Sequence, residues 1–148
     1  MKIPKIEFIE THPNAKLPKA NNTNHATGDT GLDVYSVVDL VIPPRGSTVV
    51  NVGLTVAYIT PGYWFKIEAR SGLGFKYGIQ PHGGIIDNGY RGNLSVKLYN
   101  LTDDGYNVKA GDRIAQLVVY ELIQPNCSVA SNSSTTDRGS SGFGSTGR

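Results

Sequence analysis

The chain has a single cysteine, Cys127, so no disulfide can form within it and a cystine-stapled fold is excluded. It has no apolar run long enough to span a bilayer and no signal-peptide apolar core; a soluble chain in a reducing, cytoplasmic setting is expected. In that setting the N-x-S/T triplets at Asn21, Asn93, Asn100, Asn126 and Asn132 are chance matches. Charge is scarce as well: charged residues make up 18% and the formal net charge is +2. That is too little for a broad basic face, so neither stable nucleic-acid binding nor a membrane partner is expected, and any anion site must be local. The three histidines, His12, His25 and His82, lack the spacing of zinc ligands.

Turn chemistry, by contrast, is abundant. Eighteen glycines and eight prolines among β-branched and aromatic runs point to a mostly β chain. At 148 residues it fits one domain, which would bury roughly 70% of its unfolded surface. Residues 2–10 read as a strand with Ile3, Lys5, Glu7 and Ile9 on one side and Pro4, Ile6 and Phe8 on the other. Pro4 cannot donate to a ladder, which makes this an edge or terminal strand. Residues 17–28 lack periodicity and form a surface loop around NNTNHATGD.

GLDVYSV, residues 31–37, reads as a short strand in which Asp33 points away from Leu32 and Val34. Residues 47–51 and 54–57 are β-rich, interrupted by Gly53, after a PPRG turn. From Tyr63 the run YWFKIEA alternates Tyr63, Phe65, Ile67 and Ala69 against Trp64, Lys66, Glu68 and Arg70. SGLGFKY after it allows one helical turn at most. Residues 93–101 alternate again, and GDRIAQLVVYELI ends in a long apolar strand interrupted by Gln116. Short strands separated by turn clusters indicate a sandwich or barrel.

From Pro125 the composition shifts to Ser, Thr, Asn and Gly, which cannot bury enough surface to order itself. The expected organisation is a β domain over residues 1–124 followed by a flexible Gly/Ser-rich arm over residues 125–148, one domain in all. The arm contains GFGSTG, which fits the dinucleotide pattern G-x-G-x-x-G, but only one residue follows it and the helix the pattern needs is missing. What remains is glycine backbone at Gly144, two hydroxyls, Arg138 and the ring of Phe143, a set suited to wrapping phosphates and covering a base.

The stretch ARSGLGFKYGIQPHGGIIDNGYRG, residues 69–92, concentrates groups that handle a phosphorylated ligand. Arg70 supplies a planar cation, Ser71 a hydroxyl, and Gly72 and Gly74 open backbone. QPHGG, residues 80–84, reads as a turn-rich hairpin able to present backbone N–H and C=O groups to a pyrimidine edge. Asp87 offers a carboxylate that can orient a water, although a lone turn Asp also serves as a local cap. Gln116 is open to two readings as well, a core amide satisfied by backbone or a phosphate donor.

RSGLG, GIID with YRG, GLDVYSV, GDRIAQLVV and RGSSGFGSTGR together resemble the five motifs of the trimeric deoxyuridine triphosphatase (dUTPase) family. The resemblance implies a jelly-roll-like β fold and hydrolysis of dUTP to dUMP and pyrophosphate, which limits uracil incorporation into DNA and supplies dUMP for thymidylate synthesis. It implies Asp87 as the catalytic carboxylate and Tyr90 as a ring under the deoxyribose. Arg70, Ser71, Gly72, Gln116 and Arg138 would hold phosphates, Gly83, Gly84 and Ile86 the base, Phe143 and Gly144 the lid, and Asp33 would support the phosphate region. It further implies Mg2+ held through the triphosphate and waters, and a homotrimer with shared active sites. Ala69 departs from the proline common before Arg-Ser, and the loop around residues 21–25 is longer than usual. The rival readings are a dCTP deaminase of the same fold and a non-enzymatic nucleotide-binding jelly roll.

Overall fold

The structure is a computed structural model that describes residues 3–144. Two four-stranded antiparallel sheets pack face to face. One has the order β1-β4-β8-β6, built from Ile6–Glu10, Ser47–Ile59, Asn93–Asn100 and Ile79–His82. The other has the order β2-β10-β5-β7, from Leu32–Tyr35, Arg113–Glu121, Tyr63–Glu68 and Gly84–Ile86. A ribbon of β3 (Leu40–Ile42) and β9 (Tyr106–Val108) closes one end, and α1 (Ser71–Tyr77) is the only helix among the described residues. It is too short to cross a membrane, as the longest helix described here.

The period-2 patterns decide which face of each strand is buried. In β8, Leu94, Val96 and Leu98 are buried while Ser95, Lys97 and Tyr99 are exposed, as expected from the alternation. Val50, Val52, Leu54 and Val56 of β4 meet Phe65 and Ile67 of β5 and Leu117 of β10 between the sheets. Each fully buried side chain of this kind stabilises the fold by about 1.5–3 kcal/mol. Phe8 packs edge-on against Phe65 with ring centroids 6.4 Å apart, tying β1 to that core. β1 is an edge strand, which suits Pro4, but it begins at Ile6.

Three local expectations are corrected. Residues 47–57 form one strand running to Ile59, and Gly53 sits at a bulge: the register with β8 shifts between Asn51 and Thr55, and its φ of 73° favours glycine. SGLGFKY forms a seven-residue helix rather than a single turn, ended by Gly78 in the left-handed region at φ 64°. Residues 80–84 are not a hairpin. β6 pairs with β8 in one sheet and β7 with β5 in the other, so the chain crosses between sheets at Gly83. A Cβ at Gly83 would lie 2.5 Å from Cβ of Ile67, so glycine lets this corner press against β5.

Candidate active site

The motif residues gather in two clefts of one chain. The first, about 330 Å3, is lined by Asn21, Asp29, Thr30, Gly31 and Asp33 from the first third of the chain, and by Arg70, Ser71, Gly72 and Gln116. The β ladder explains the meeting: Gln116 stands in β10 between Asp33 of β2 and Glu68 of β5, two residues before Arg70. Arg70 is extended, with φ −91° and ψ 130°, and marks the point where β5 gives way to α1.

Asp33 organises the cations. Its carboxylate accepts from Arg70 Nε at 3.0 Å and lies 3.7 Å from Arg113 Nη1, and both the Asp33 and Arg70 side chains are largely shielded from solvent. Two guanidinium groups around one carboxylate hold Arg70 in a defined orientation beside the cleft, whose lining also includes the carboxylate of Asp29. Asp33 is itself fixed by backbone exchange with Lys19, at 2.8 and 3.3 Å. On the far side of Arg70, a cleft lined by Lys76, Tyr77, Tyr106 and Arg113 adjoins the first. There burial pushes the Tyr106 phenol above its ordinary pKa, with the Asp112 charge adding to the rise, so it stays protonated at neutral pH.

Gln116 is oriented by its own bond. Nε2 donates to the Ala69 carbonyl at 2.7 Å, which fixes the amide while leaving its second N–H available. Gly31 makes the room: a Cβ there would stand 1.9 Å from Gln116 Oε1.

The second cleft, about 250 Å3, is lined by Gly83, Ile85, Ile86, Asp87, Tyr90, Asn93, Leu94 and Ser95. β7 ends at Ile86, and the Tyr90 amide donates to the Asp87 carbonyl at 3.0 Å, closing a turn that leaves the Asp87 side chain exposed. The Tyr90 hydroxyl donates to the Asn93 carbonyl at 2.6 Å, which holds the ring upright over the cleft. Gly92 is required beneath it, since a Cβ there would lie 2.4 Å from that hydroxyl. Gly84, at φ 69°, opens β7 but is not among the residues lining this cleft.

The two clefts have no lining residue in common, and Arg138, Phe143 and Gly144 line neither. The arm leaves the sheet after Glu121. Arg138 Nε donates to the Ser141 carbonyl at 2.7 Å, and the Phe143 ring is exposed. The rest of the GFGSTG segment, residues 145–147, and Arg148 after it lie outside the described residues. Sequence reasoning missed Arg113, Gly31 and the contribution of Asn21, Asp29 and Thr30. The signal for Arg113 was a cation opening an otherwise apolar strand; nothing local marked the others, which reach the cleft only because β2 pairs with β10.

The family model described as dUTPase matches residues 18–147. The chain is 42% identical over 147 residues to the deoxyuridine 5'-triphosphate nucleotidohydrolase of Wolinella succinogenes, covering 97% of this chain and 95% of that protein. It is 40% identical over 144 residues to the protein of the same name from Fowl adenovirus A serotype 1, covering 97% and 78%. Among solved structures, the Staphylococcus bacteriophage 80alpha dUTPase with dUPNHPP superposes with a TM-score of 0.79 at 28% identity, over 97% of this chain and 99% of that one. A mutant dUTPase from phage phi11 of S. aureus, described with a structural Mg(II) ion, gives 0.74 at 25% identity over 88% and 99%. With the motif residues gathered in two clefts of a two-sheet β fold and the family model spanning most of the sequence, the chain belongs to the dUTPase family.

Proposed function

We propose that the protein hydrolyses dUTP to dUMP and pyrophosphate at sites shared between three copies of the chain. The observation that carries this reading is the division of labour between the clefts. One has cations, a hydroxyl and an oriented amide at Arg70, Ser71 and Gln116; the other has a carboxylate and an aromatic ring at Asp87 and Tyr90.

Asp87 orients a water that attacks the α-phosphorus and takes its proton. The new P–O bond forms as the bond from the α-phosphorus to the oxygen bridging to the β-phosphate breaks, and pyrophosphate leaves. Arg70, Ser71, the Gly72 backbone, Gln116 and Arg138 stabilise the charge that develops on the phosphate oxygens. Tyr90 packs under the deoxyribose and excludes a 2′-hydroxyl, while the sheet-crossing corner at Gly83 and Gly84, with Ile86, presents backbone groups to uracil. Among the described residues no group of three His, Cys, Asp or Glu side chains could hold a metal. Of the two carboxylates lining the phosphate cleft, Asp33 is committed to Arg70 and Arg113 and Asp29 accepts from the Asn22 amide, and this donor set fits Mg2+ held mainly through triphosphate oxygens and waters. When bound, Mg2+ neutralises phosphate charge.

The case for sharing is geometric. β5 and β7 align Phe65 with Ile86, five residues before Arg70, and beyond Ile86 the chain turns away from β5. At about 3.3 Å per residue those five residues put the start of the Asp87 turn roughly 17 Å from Arg70, and the two side chains line separate clefts. Closed threefold symmetry would set the Asp87 cleft of one chain against the Arg70 cleft of the next, with the arm of residues 125–148 closing from a third subunit over the β domain of residues 1–124.

The test is pyrophosphate release from dUTP, dCTP, dTTP and UTP by wild type and Asp87→Asn. The expected result is release from dUTP alone, lowered by roughly 10²-fold or more in the variant. Near wild-type turnover in Asp87→Asn, or ammonia release from dCTP, overturns the assignment.

A further inference from the structure

Asn88 follows the carboxylate proposed to do the chemistry, and its side chain makes contacts that no motif requires. The backbone ladder between β5 and β7 pairs Ile67 with Gly84, Lys66 with Ile85 and Phe65 with Ile86, and there it stops. Continuing that register would set Asp87 opposite Trp64 and Asn88 opposite Tyr63. The chain instead turns away at Asp87, and the Asn88 side chain takes up the bonding at the vacated rung. Nδ2 donates to the Tyr63 carbonyl at 2.8 Å and the Thr60 carbonyl at 3.0 Å, with the Ile59 carbonyl at 3.4 Å. One amide thereby ties the Asp87 turn to the connection between β4 and β5.

That connection is itself fixed. Thr60 is buried; its hydroxyl accepts from the Lys5 amide at 2.7 Å, and its own amide donates to the Lys5 carbonyl at 2.9 Å. From the other side, Arg91 Nη1 donates to the carbonyls of Asn88 and Tyr90, each at 2.8 Å. Asp87 lies between the last ladder rung at Ile86 and the anchored Asn88, so it has little freedom to drift. Asp87 is exposed, and among the described residues nothing bonds its carboxylate, while its neighbour is half-buried and bonded. Its aim is therefore set through Asn88.

We propose that Asn88 is a positioning residue for Asp87: its amide replaces the missing ladder rung and sets where the carboxylate stands relative to the attacked phosphorus. The inference rests on the reading of Asp87 as the water-orienting group. A displacement of about 1 Å in a catalytic group costs on the order of a hundredfold in rate, so the anchor acts on turnover more than on binding.

The experiment uses the full chain and three variants, Asn88→Ala, Asn88→Asp and Asp87→Asn, with kcat and KM for dUTP measured below the melting temperature and normalised to folded protein. Asn88→Asp keeps the shape, removes both N–H donors and adds a charge, whereas Asn88→Ala removes the donors with no charge, so a fall common to both reports the lost bonding. The expected result is a fall in kcat of at least about tenfold in both Asn88 variants with KM within threefold of wild type, a split that mere loss of folded protein does not give. Wild-type kcat in both Asn88 variants while Asp87→Asn is inactive overturns the positioning role. Wild-type turnover in Asp87→Asn overturns the reading beneath it, and the role of Asn88 with it.

Discussion

Gly31→Ala tests the phosphate cleft by displacing the Gln116 amide without replacing any residue proposed to contact substrate. The new Cβ would stand 1.9 Å from Gln116 Oε1, 2.7 Å from its Cδ and 3.1 Å from its Cβ, so the Gln116 amide must swing out and give up its 2.7 Å bond to the Ala69 carbonyl. Gly31 lies outside the positive-φ glycines, so alanine adopts its backbone without strain. For stability two opposed effects of similar size follow. Losing a neutral hydrogen bond costs about 1 kcal/mol, and removing a glycine from the unfolded chain returns about 0.4–1 kcal/mol. The melting temperature should therefore move little. A hydrogen bond to a charged phosphate is worth roughly 1.5–3 kcal/mol, so kcat/KM for dUTP should fall about ten- to a hundredfold. The decisive assay is a double-mutant cycle with Gln116→Ala: once the amide is gone, adding Gly31→Ala should cost less than about threefold more. Equal losses from Gly31→Ala in both backgrounds would show that it acts elsewhere and refute the reasoning.

Tyr90→Ala should raise the ratio of UTP to dUTP specificity constants, because the ring held by Asn93 is the proposed wall under C2′; an unchanged ratio places sugar discrimination elsewhere. Deleting residues 139–148 should leave the circular dichroism melt of the β domain intact, since the last strand ends at Glu121, yet cripple hydrolysis, and full activity would show the arm to be inert. Asp87→Asn chains refolded with an equal amount of arm-deleted chains should regain about a quarter of wild-type activity, since about three quarters of trimers are mixed and each has one intact site in three. A mixture as inactive as its parents, with subunit exchange confirmed by mass spectrometry, contradicts sites built from three chains.

Much of the strand pattern was legible in order, because burial on one face writes period 2 directly into residues such as Leu94, Val96 and Leu98. The motif residues were legible too, since Arg, Ser, Gly and Asp at fixed spacing carry their chemistry wherever they fold. Local rules failed where a neighbour decided. Gly53 reads as a break but is a bulge, because β1 and β8 pair on both sides of β4 and carry the strand through it. QPHGG reads as a hairpin because its turn residues suit one; yet β6 finds its partner in β8 and β7 in β5, and only the packing of two sheets routes the chain between them. Asp33, the first motif's acid, shows the same limit. Its alternation with Leu32 and Val34 indicated a side but not a partner, and the pairing of β2 with β10 put it against Arg70 and Arg113. The sequence by itself determined which chemical groups were present and which strand faces were apolar, because both are properties of residue type and period. Tertiary structure alone decided that Gln116 needs Gly31 for space, that Asn88 completes a ladder, and that Asp87 and Arg70 line separate clefts, since each depends on the register between strands remote in sequence.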